Sequence, residues 1–261
     1  MSDFERNTAG RFGATTHATA DMSIDAGLRS YMLSVYNYMA IGLMITGLLA
    51  VGTYMMTVTT DPSAAVAQLQ NGTMLNSMGA ALYGSALRWV VMLAPLGLVF
   101  FLSARIGKMS VSSAQITFWI YAALMGISLS SIFLVYAHGS IAKVFFISAA
   151  MFGGLSLFGY TTKRDISGWG SFLFMGLIGI IIAMVVNIFL ASSALQFAIS
   201  VIGVLVFAGL TAYDTQQIKE MYYANDDGTV TGRKAIMGAL RLYLDFINLF
   251  IMLLSLFGSR D

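Results

Sequence analysis

Seven long apolar runs constrain the fold of this chain more than any other feature of its sequence. Each approaches or exceeds the about 20 residues that a helix needs to cross a bilayer, and none shows the alternation of a transmembrane β-strand. The runs cover roughly residues 31–56, 86–105, 112–136, 141–160, 169–190, 196–218 and 236–257. The sequence therefore predicts an all-α integral membrane protein, with seven spans numbered in chain order and a transmembrane domain over residues 31–258.

The composition agrees with a lipid environment. Charged residues make up only 10% of the chain, whereas a soluble domain carries about 25%. Such a chain cannot cover itself with a water-facing surface, so its expected partner is the lipid bilayer. A net charge of +2 does not indicate nucleic-acid binding, and the lack of cysteine excludes disulfides and thiolate metal sites. We expect no cofactor and no enzyme activity.

Three segments lie outside the spans or are long connections between them. Residues 1–30 are polar, and the apolar run after them is too long for a secretory signal, so we expect a mobile, uncleaved cytoplasmic segment. The 57–85 connection is expected to hold a short helix against the membrane surface. The 219–234 connection carries a strong turn signal, Asn225-Asp226-Asp227-Gly228.

Lysine and arginine in the connections predict the orientation of the bundle. One side carries ten of them, namely Arg6, Arg11, Arg29, Arg105, Lys108, Lys163, Arg164, Lys219, Arg233 and Lys234, and the other carries Arg88, Lys143 and Arg260. This bias predicts a cytoplasmic N-terminus and an external C-terminus. The short loops, the lack of cysteine and the lack of organelle signals favour a bacterial inner (plasma) membrane.

Two carboxylates, Asp214 in span 6 and Asp245 in span 7, lie inside apolar runs. Ionisable groups inside the membrane are costly, so they are functional-site candidates by default. Asp214 precedes Lys219 by five residues, which places it roughly 7 Å from the predicted cytoplasmic end. Asp245 is one turn deeper than Arg241, which can snorkel toward the headgroups, and span 2 ends at Arg105. Charges from spans 2, 6 and 7 are therefore predicted to converge near one end of the bundle.

Polar residues at helical spacing accompany both carboxylates. One face of span 7 carries, at i, i+4, i+7 and i+11, Arg241, Asp245, Asn248 and Met252. One face of span 6 carries, at i, i+3 and i+6, Thr211, Asp214 and Gln217. Lipid cannot satisfy such groups, so the two stripes are predicted to face each other or a wet cavity. Thr211, Gln217 and Asn248 would then line or support it.

The chemistry of a buried carboxyl pair suits a switch. Two carboxyls within hydrogen-bonding reach cannot both ionise cheaply, so the pair can share a proton. Protonated, it would bridge spans 6 and 7; ionised, the carboxylates would repel or pair with Arg105 or Arg241. The same oxygens would attract a hard cation such as Ca²⁺ transiently. Spacing alone also allows an arrangement without a switch, in which Arg241 neutralises Asp245 at i,i+4 and Asp214 lies in interfacial water.

Two segments carry a family resemblance. GLTAYDTQQIKEMY (Gly209–Tyr222) and LYLDFINLFIMLLSLFG (Leu242–Gly258) resemble the transmembrane Bax inhibitor motif family, the Bax inhibitor 1 group with bacterial members. The match is most specific in spans 6 and 7, and the seven-span layout agrees over about residues 31–258. The resemblance implies that six helices surround a central, C-terminal helix 7.

The resemblance also implies a function. Family members are described as pH-sensitive calcium leak channels with a di-aspartyl sensor, which falls here on Asp214 and Asp245. The arginine that pairs with the sensor, at the inner end of helix 2, falls on Arg105. Arg241 departs from the family pattern, since it places a fixed cation one turn from Asp245 where it could blunt the pH response.

Three other functions compete with a cation leak. Other bacterial relatives are reported to restrain a membrane-bound protease, which makes a membrane interaction protein the main alternative. An intramembrane aspartyl protease would need Gly-x-Gly-Asp in span 7, where this chain has Tyr243-Leu244-Asp245, and a proline after Pro95, where it has none. A proton-coupled transporter would show paired broken helices or an inverted repeat, and neither is evident. The sequence therefore predicts a channel passing Ca²⁺ under control of an Asp214–Asp245 proton switch.

Overall fold

The helices of the fold agree closely with the apolar runs. The computed structural model describes residues 3–260, with the side chains of residues 26–260. Its α-helices in this part of the chain are α1 (Asp3–Thr57), α2 (Ser77–Gly84), α3 (Leu87–Arg105), α4 (Val111–Leu129), α5 (His138–Thr161), α6 (Trp169–Leu190), α7 (Ser193–Glu220) and α8 (Gly228–Phe257). The predicted mobility of residues 1–30 falls largely on side chains outside the described residues and stays a prediction.

All seven predicted spans are confirmed as helices. Within the described residues, seven helices are long and apolar enough to cross a membrane: the part of α1 from Ala26 to Thr57, and each of α3 to α8. Span 3 ends in a short 3-10 helix, Ser130–Leu134. The side of the membrane on which the N-terminus lies stays a prediction.

The predicted 219–234 loop is too long. α7 continues to Glu220 and α8 already begins at Gly228, so the connection covers only residues 221–227. The turn signal is real, but its last aspartate also starts a helix: the Asp227 side chain caps α8 by accepting a hydrogen bond from the Val230 backbone N–H at 2.7 Å. Lys234 of α8 reaches back to Asp226 and to the Met221 carbonyl, which fixes the short connection.

The connection between α1 and α3 contains more structure than predicted. The expected short helix is present as α2, whose N-terminus is capped by the Asn76 side chain. Before it, β1 (Val58–Thr59), β2 (Ala67–Gln68) and β3 (Met74–Leu75) form a small antiparallel sheet in the order β1-β3-β2. The Tyr83 hydroxyl of α2 hydrogen-bonds to Ser130 Oγ at 2.8 Å and so ties the connection to the end of α4.

α8 is the most buried of the described spans. Of its central apolar window 61% is buried, against 11% for the windows of α3 and α6. α8 packs extensively against α1, α4, α5 and α7, whereas α3 leans mainly on α4 and α2, and α6 mainly on α7. A complete ring of six helices around α8 stays a prediction.

Close backbone contacts and paired hydroxyls hold the bundle together. In lipid, helix association depends on packing and interhelical hydrogen bonds, and small residues permit close approach. Gly159 of α5 lies against the Ala212 carbonyl of α7 with no room for a Cβ. Beside this contact Ser156 Oγ is 2.7 Å from the Tyr36 hydroxyl of α1 and 3.0 Å from Thr215 Oγ1 of α7. One polar chain therefore joins three helices.

We expect Gly159→Ala to lower the apparent free energy of unfolding by about 1–3 kcal/mol, since a methyl group there overpacks α5 against the α7 backbone. The matched control is Gly153→Ala on the same helix, where an added Cβ meets no atom within 4 Å and should be neutral or slightly stabilising. Thermal unfolding of the purified variants in detergent would test this. Equal melting temperatures for both variants would contradict the close α5–α7 contact.

Candidate functional site

Asp214 and Asp245 meet where α6, α7 and α8 come together. Both line an open cleft of about 660 Å³ that these three helices form, together with Arg241 and Asn248. Aromatic and aliphatic side chains supply most of the remaining lining, among them Phe174 of α6. α7 and α8 pack closely and α6 packs on α7, while the cleft separates α6 from the polar face of α8. The convergence of the two aspartates, predicted from spacing, is present in the fold.

The carboxyl groups of the pair are placed to interact directly. Asp245 is 5% exposed, and its carboxyl group lies within hydrogen-bonding reach of that of Asp214. Within the described residues, Asp245 Oδ2 is buried and has no hydrogen-bond partner. Two ionised carboxylates have no hydrogen to donate, so a hydrogen bond between them requires a proton on one. The geometry therefore suits a pair that holds a single proton.

Arg241 stands at the mouth of the cleft and is a weak partner. Its Nη1 atom is 3.9 Å from Asp214 Oδ1, and its side chain is 44% exposed. Because the guanidinium is open to solvent, screening limits the contribution of this contact to about 1 kcal/mol or less. Arg241 thus approaches Asp214 of the neighbouring helix, whereas the alternative based on i,i+4 spacing paired it with Asp245. The Asp245 side chain is buried at the α7 interface, and Arg241 extends toward the open side.

The structure does not bring Arg105 to the pair. Arg105 is the exposed last residue of α3, and α3 does not pack extensively on α7 or α8. Among the described side chains Arg105 forms no ion pair; the ion pairs found there are Arg241–Asp214 and Lys234–Asp226. Topology predicts which end of the bundle Arg105 occupies, but it does not predict which helices lie beside α3.

The three polar residues predicted to support the site, Thr211, Gln217 and Asn248, lie in three different environments. Asn248 lines the cleft, and its amide donates to the Leu244 carbonyl at 2.8 Å. Thr211 is fully buried and donates to the Phe207 carbonyl of its own helix. Gln217 donates to Ser167 Oγ and to Glu220 near the end of α7. Only Asn248 of the three lines the cleft.

A second polar cluster, which was not predicted from the sequence, lies between the same three helices. Near the other ends of α7 and α8, the cluster joins Asn187, Gln196, Ser200 and Ser255 through side-chain hydrogen bonds. A signal was present, because Ser255 follows Met252 by three residues and so extends the stripe of Asp245 and Asn248. Serine in an apolar run, however, also fits the small residues that close helix packing requires.

Comparison with known proteins gives a consistent result. The chain matches the family described as "Inhibitor of apoptosis-promoting Bax1" over residues 28–261. The inner membrane protein YbhL of Escherichia coli K12 is 47% identical over 237 residues, which cover 90% of this chain and 94% of that protein. An uncharacterized protein of Rickettsia prowazekii is 45% identical over 245 residues, or 94% of this chain and 96% of the relative. The resemblance found in spans 6 and 7 is confirmed and extends over nearly the whole chain.

The carboxyl pair makes a testable prediction about stability. Asp245→Asn keeps the shape of the side chain and supplies an amide hydrogen to Asp214, so we expect little loss of stability. Asp245→Leu has a similar size but leaves the Asp214 carboxyl without its partner, which should cost about 1–3 kcal/mol more. Thermal unfolding of both variants in the same detergent compares them. Leucine as well tolerated as asparagine would contradict a hydrogen bond between the two carboxyl groups.

Proposed function

The chain belongs to the Bax inhibitor 1 family of multi-pass membrane proteins, and from this premise we propose that it is a pH-sensitive leak channel for Ca²⁺. The pair Asp214–Asp245 is its proton switch. The observation that carries the proposal is the buried meeting of these carboxyl groups on a cleft between α6, α7 and α8.

The switch follows from the electrostatics of the pair. With one proton between them, the carboxyl groups bridge α7 and α8 through a hydrogen bond. Without that proton, two like charges face each other in a medium of low dielectric constant, where repulsion is strong. The helices then separate, or a cation enters. Raising the pH on the side that the cleft faces removes the bridging proton and favours the open state.

Calcium is the permeant ion that the oxygen chemistry favours. Ca²⁺ takes six to eight oxygen ligands in flexible geometry, and the cleft offers carboxylate oxygens from Asp214 and Asp245 and an amide oxygen from Asn248. So few protein ligands leave most of the coordination shell to water. An ion held this loosely can move on, as conduction requires.

The surroundings of the channel are part of the proposal. We assign it to the inner membrane, as the name of the relative YbhL says of that protein. We assign the cleft to the cytoplasmic side, because its lining reaches Gly170 at the start of α6, next to the connection that carries Lys163 and Arg164. Arg241 at the mouth partly offsets the charge of Asp214, so the cation approaches past a fixed positive charge.

Calcium flux into dye-loaded proteoliposomes at pH 6 and pH 8 tests the function. We expect several-fold more flux through the wild type at pH 8, where the pair is ionised. Asp214→Asn with Asp245→Asn preserves a bridging hydrogen bond but cannot ionise, so flux should be low at both pH values. Asp165→Asn is the matched control, because Asp165 is exposed on the connection between α5 and α6 and does not line the cleft, so this variant should keep the wild-type profile.

Two results would overturn the proposal. A wild-type flux no greater than that of empty liposomes at either pH would exclude the leak. It would favour the alternative, a membrane interaction protein that regulates another membrane protein such as a membrane-bound protease, which crosslinking in native membranes would then identify. A pH-dependent flux that persists in the double variant would instead exclude the carboxyl pair as the switch.

A further inference from the structure

The second polar cluster lies at the other end of the helices that form the cleft. Gln196 Nε2 donates to Ser255 Oγ at 3.3 Å, and Ser200 Oγ lies 2.9 Å from the same oxygen. Asn187 of α6 donates to Gln196 Oε1 at 3.2 Å. α6, α7 and α8 therefore all contribute to this cluster, as they do to the carboxyl cleft. Its groups are neutral amides and hydroxyls.

The two polar sites lie on common faces of α7 and α8. On α8, Asp245, Met252 and Ser255 follow at intervals of seven and three residues, which keeps them on one side of the helix. On α7, Gln196, Gly203 and Asp214 follow at intervals of seven and eleven residues, close to two and three full turns. Ten residues, or about 15 Å of α8, separate Asp245 from Ser255. The carboxyl pair and the cluster of Gln196, Ser200 and Ser255 therefore lie at two points along the interface between α7 and α8, which we call the seam.

A tight apolar contact separates the two sites. The Met252 side chain of α8 lies directly over Gly203 of α7, where a Cβ would come within 2.7 Å of Met252 Sδ. Both residues are buried. Methionine is flexible and unbranched, so a rotamer change can move it away from Gly203 without moving the backbone. The contact closes the seam, and a change in the Met252 side-chain conformation would open it.

We infer that the ion path runs along this seam, from the carboxyl pair past Met252 to the Gln196–Ser200–Ser255 cluster, with Met252 over Gly203 as its apolar constriction. This inference rests on the proposed leak function and extends it. An apolar constriction can gate a pore by excluding water. The cluster beyond it is a second cation subsite, where hydroxyl and amide oxygens replace part of the hydration shell.

The difference in charge between the two sites suits conduction. A path works when its sites bind well enough to admit an ion and weakly enough to release it. The carboxyl pair provides a charged entrance, and the cluster of Gln196, Ser200 and Ser255 provides neutral oxygens for a Ca²⁺ ion that prefers oxygen ligands. A cation leaving the pair therefore meets a weaker site before it reaches the solvent.

Shortening Met252 tests the constriction. At the pH where wild-type flux is lowest, Met252→Ala should raise calcium flux about tenfold, which corresponds to about 1.4 kcal/mol off the barrier. Met252→Leu keeps the volume and should stay close to the wild type. Met175→Ala is the matched control, because Met175 of α6 is 63% exposed on the outer surface of the bundle. It should not change the flux.

Cysteine modification tests the far subsite without relying on Met252. The chain has no cysteine, so Ser255→Cys provides a single thiol in an otherwise wild-type protein. A membrane-impermeant, cationic thiol reagent should modify it and reduce the flux several-fold. Ser148→Cys is the control, because Ser148 of α5 is fully buried and its hydroxyl donates to the Val144 carbonyl, away from the seam. That thiol should stay unmodified.

The outcomes separate this inference from the proposed function. A wild-type leak that responds neither to Met252→Ala nor to the reagent in Ser255→Cys would overturn the seam path and leave the leak itself in place. No wild-type leak would overturn both. A leak raised by Met252→Ala and reduced by the reagent only in Ser255→Cys would support both.

Discussion

Lipid offers no hydrogen bonds, so every polar group within the bilayer must find its partner inside the protein. The main tertiary contacts of this bundle include such partners. The Tyr36 hydroxyl, Ser156 and Thr215 join α1, α5 and α7, and Thr46 pairs with the Tyr243 hydroxyl of α8 at 2.7 Å. The carboxyl pair is subject to the same constraint with a difference, since a hydrogen bond between two carboxyl groups requires a proton on one of them. The need for internal hydrogen bonds stabilises the rest of the bundle, but at the carboxyl pair it is met only when a proton is bound.

α7 divides the bundle into a tightly packed part and a looser one. On one side, Gly159 of α5 contacts its backbone and Thr215 completes a hydrogen-bonded chain. On the other side, Asp214 faces the cleft that separates α6 from the polar face of α8. The packed side fixes the position of α7, so in the proposed mechanism loss of the proton acts on the more loosely packed side, at the cleft. A switch on a rigid support needs only a small movement to change the width of the cleft.

The sequence predicts the helices well because a run of about 20 apolar residues has few other stable conformations in lipid. It also predicts that Asp214 and Asp245 meet, since the depth of each follows from its distance to the helix end. Lateral neighbours are harder to predict: the level of Arg105 follows from topology, but its distance from the pair depends on how α3 packs on α4. Ser255 and Gln196 escape detection because single polar residues in apolar runs also serve helix packing. The early start of α8 at Gly228 depends on the Asp227 cap. Asp227 belongs to the segment Asn225–Gly228, whose sequence fits a turn equally well.

Among the described residues, α6 packs extensively on one neighbouring span, α7, and most of its surface faces away from the protein. Widening the cleft therefore displaces a helix whose outer contacts are almost entirely with acyl chains. The elastic properties of the bilayer, above all its thickness relative to the length of α6, enter the energy of that movement directly. The same polypeptide in a thicker or stiffer membrane would thus experience a different mechanical load at its carboxyl pair.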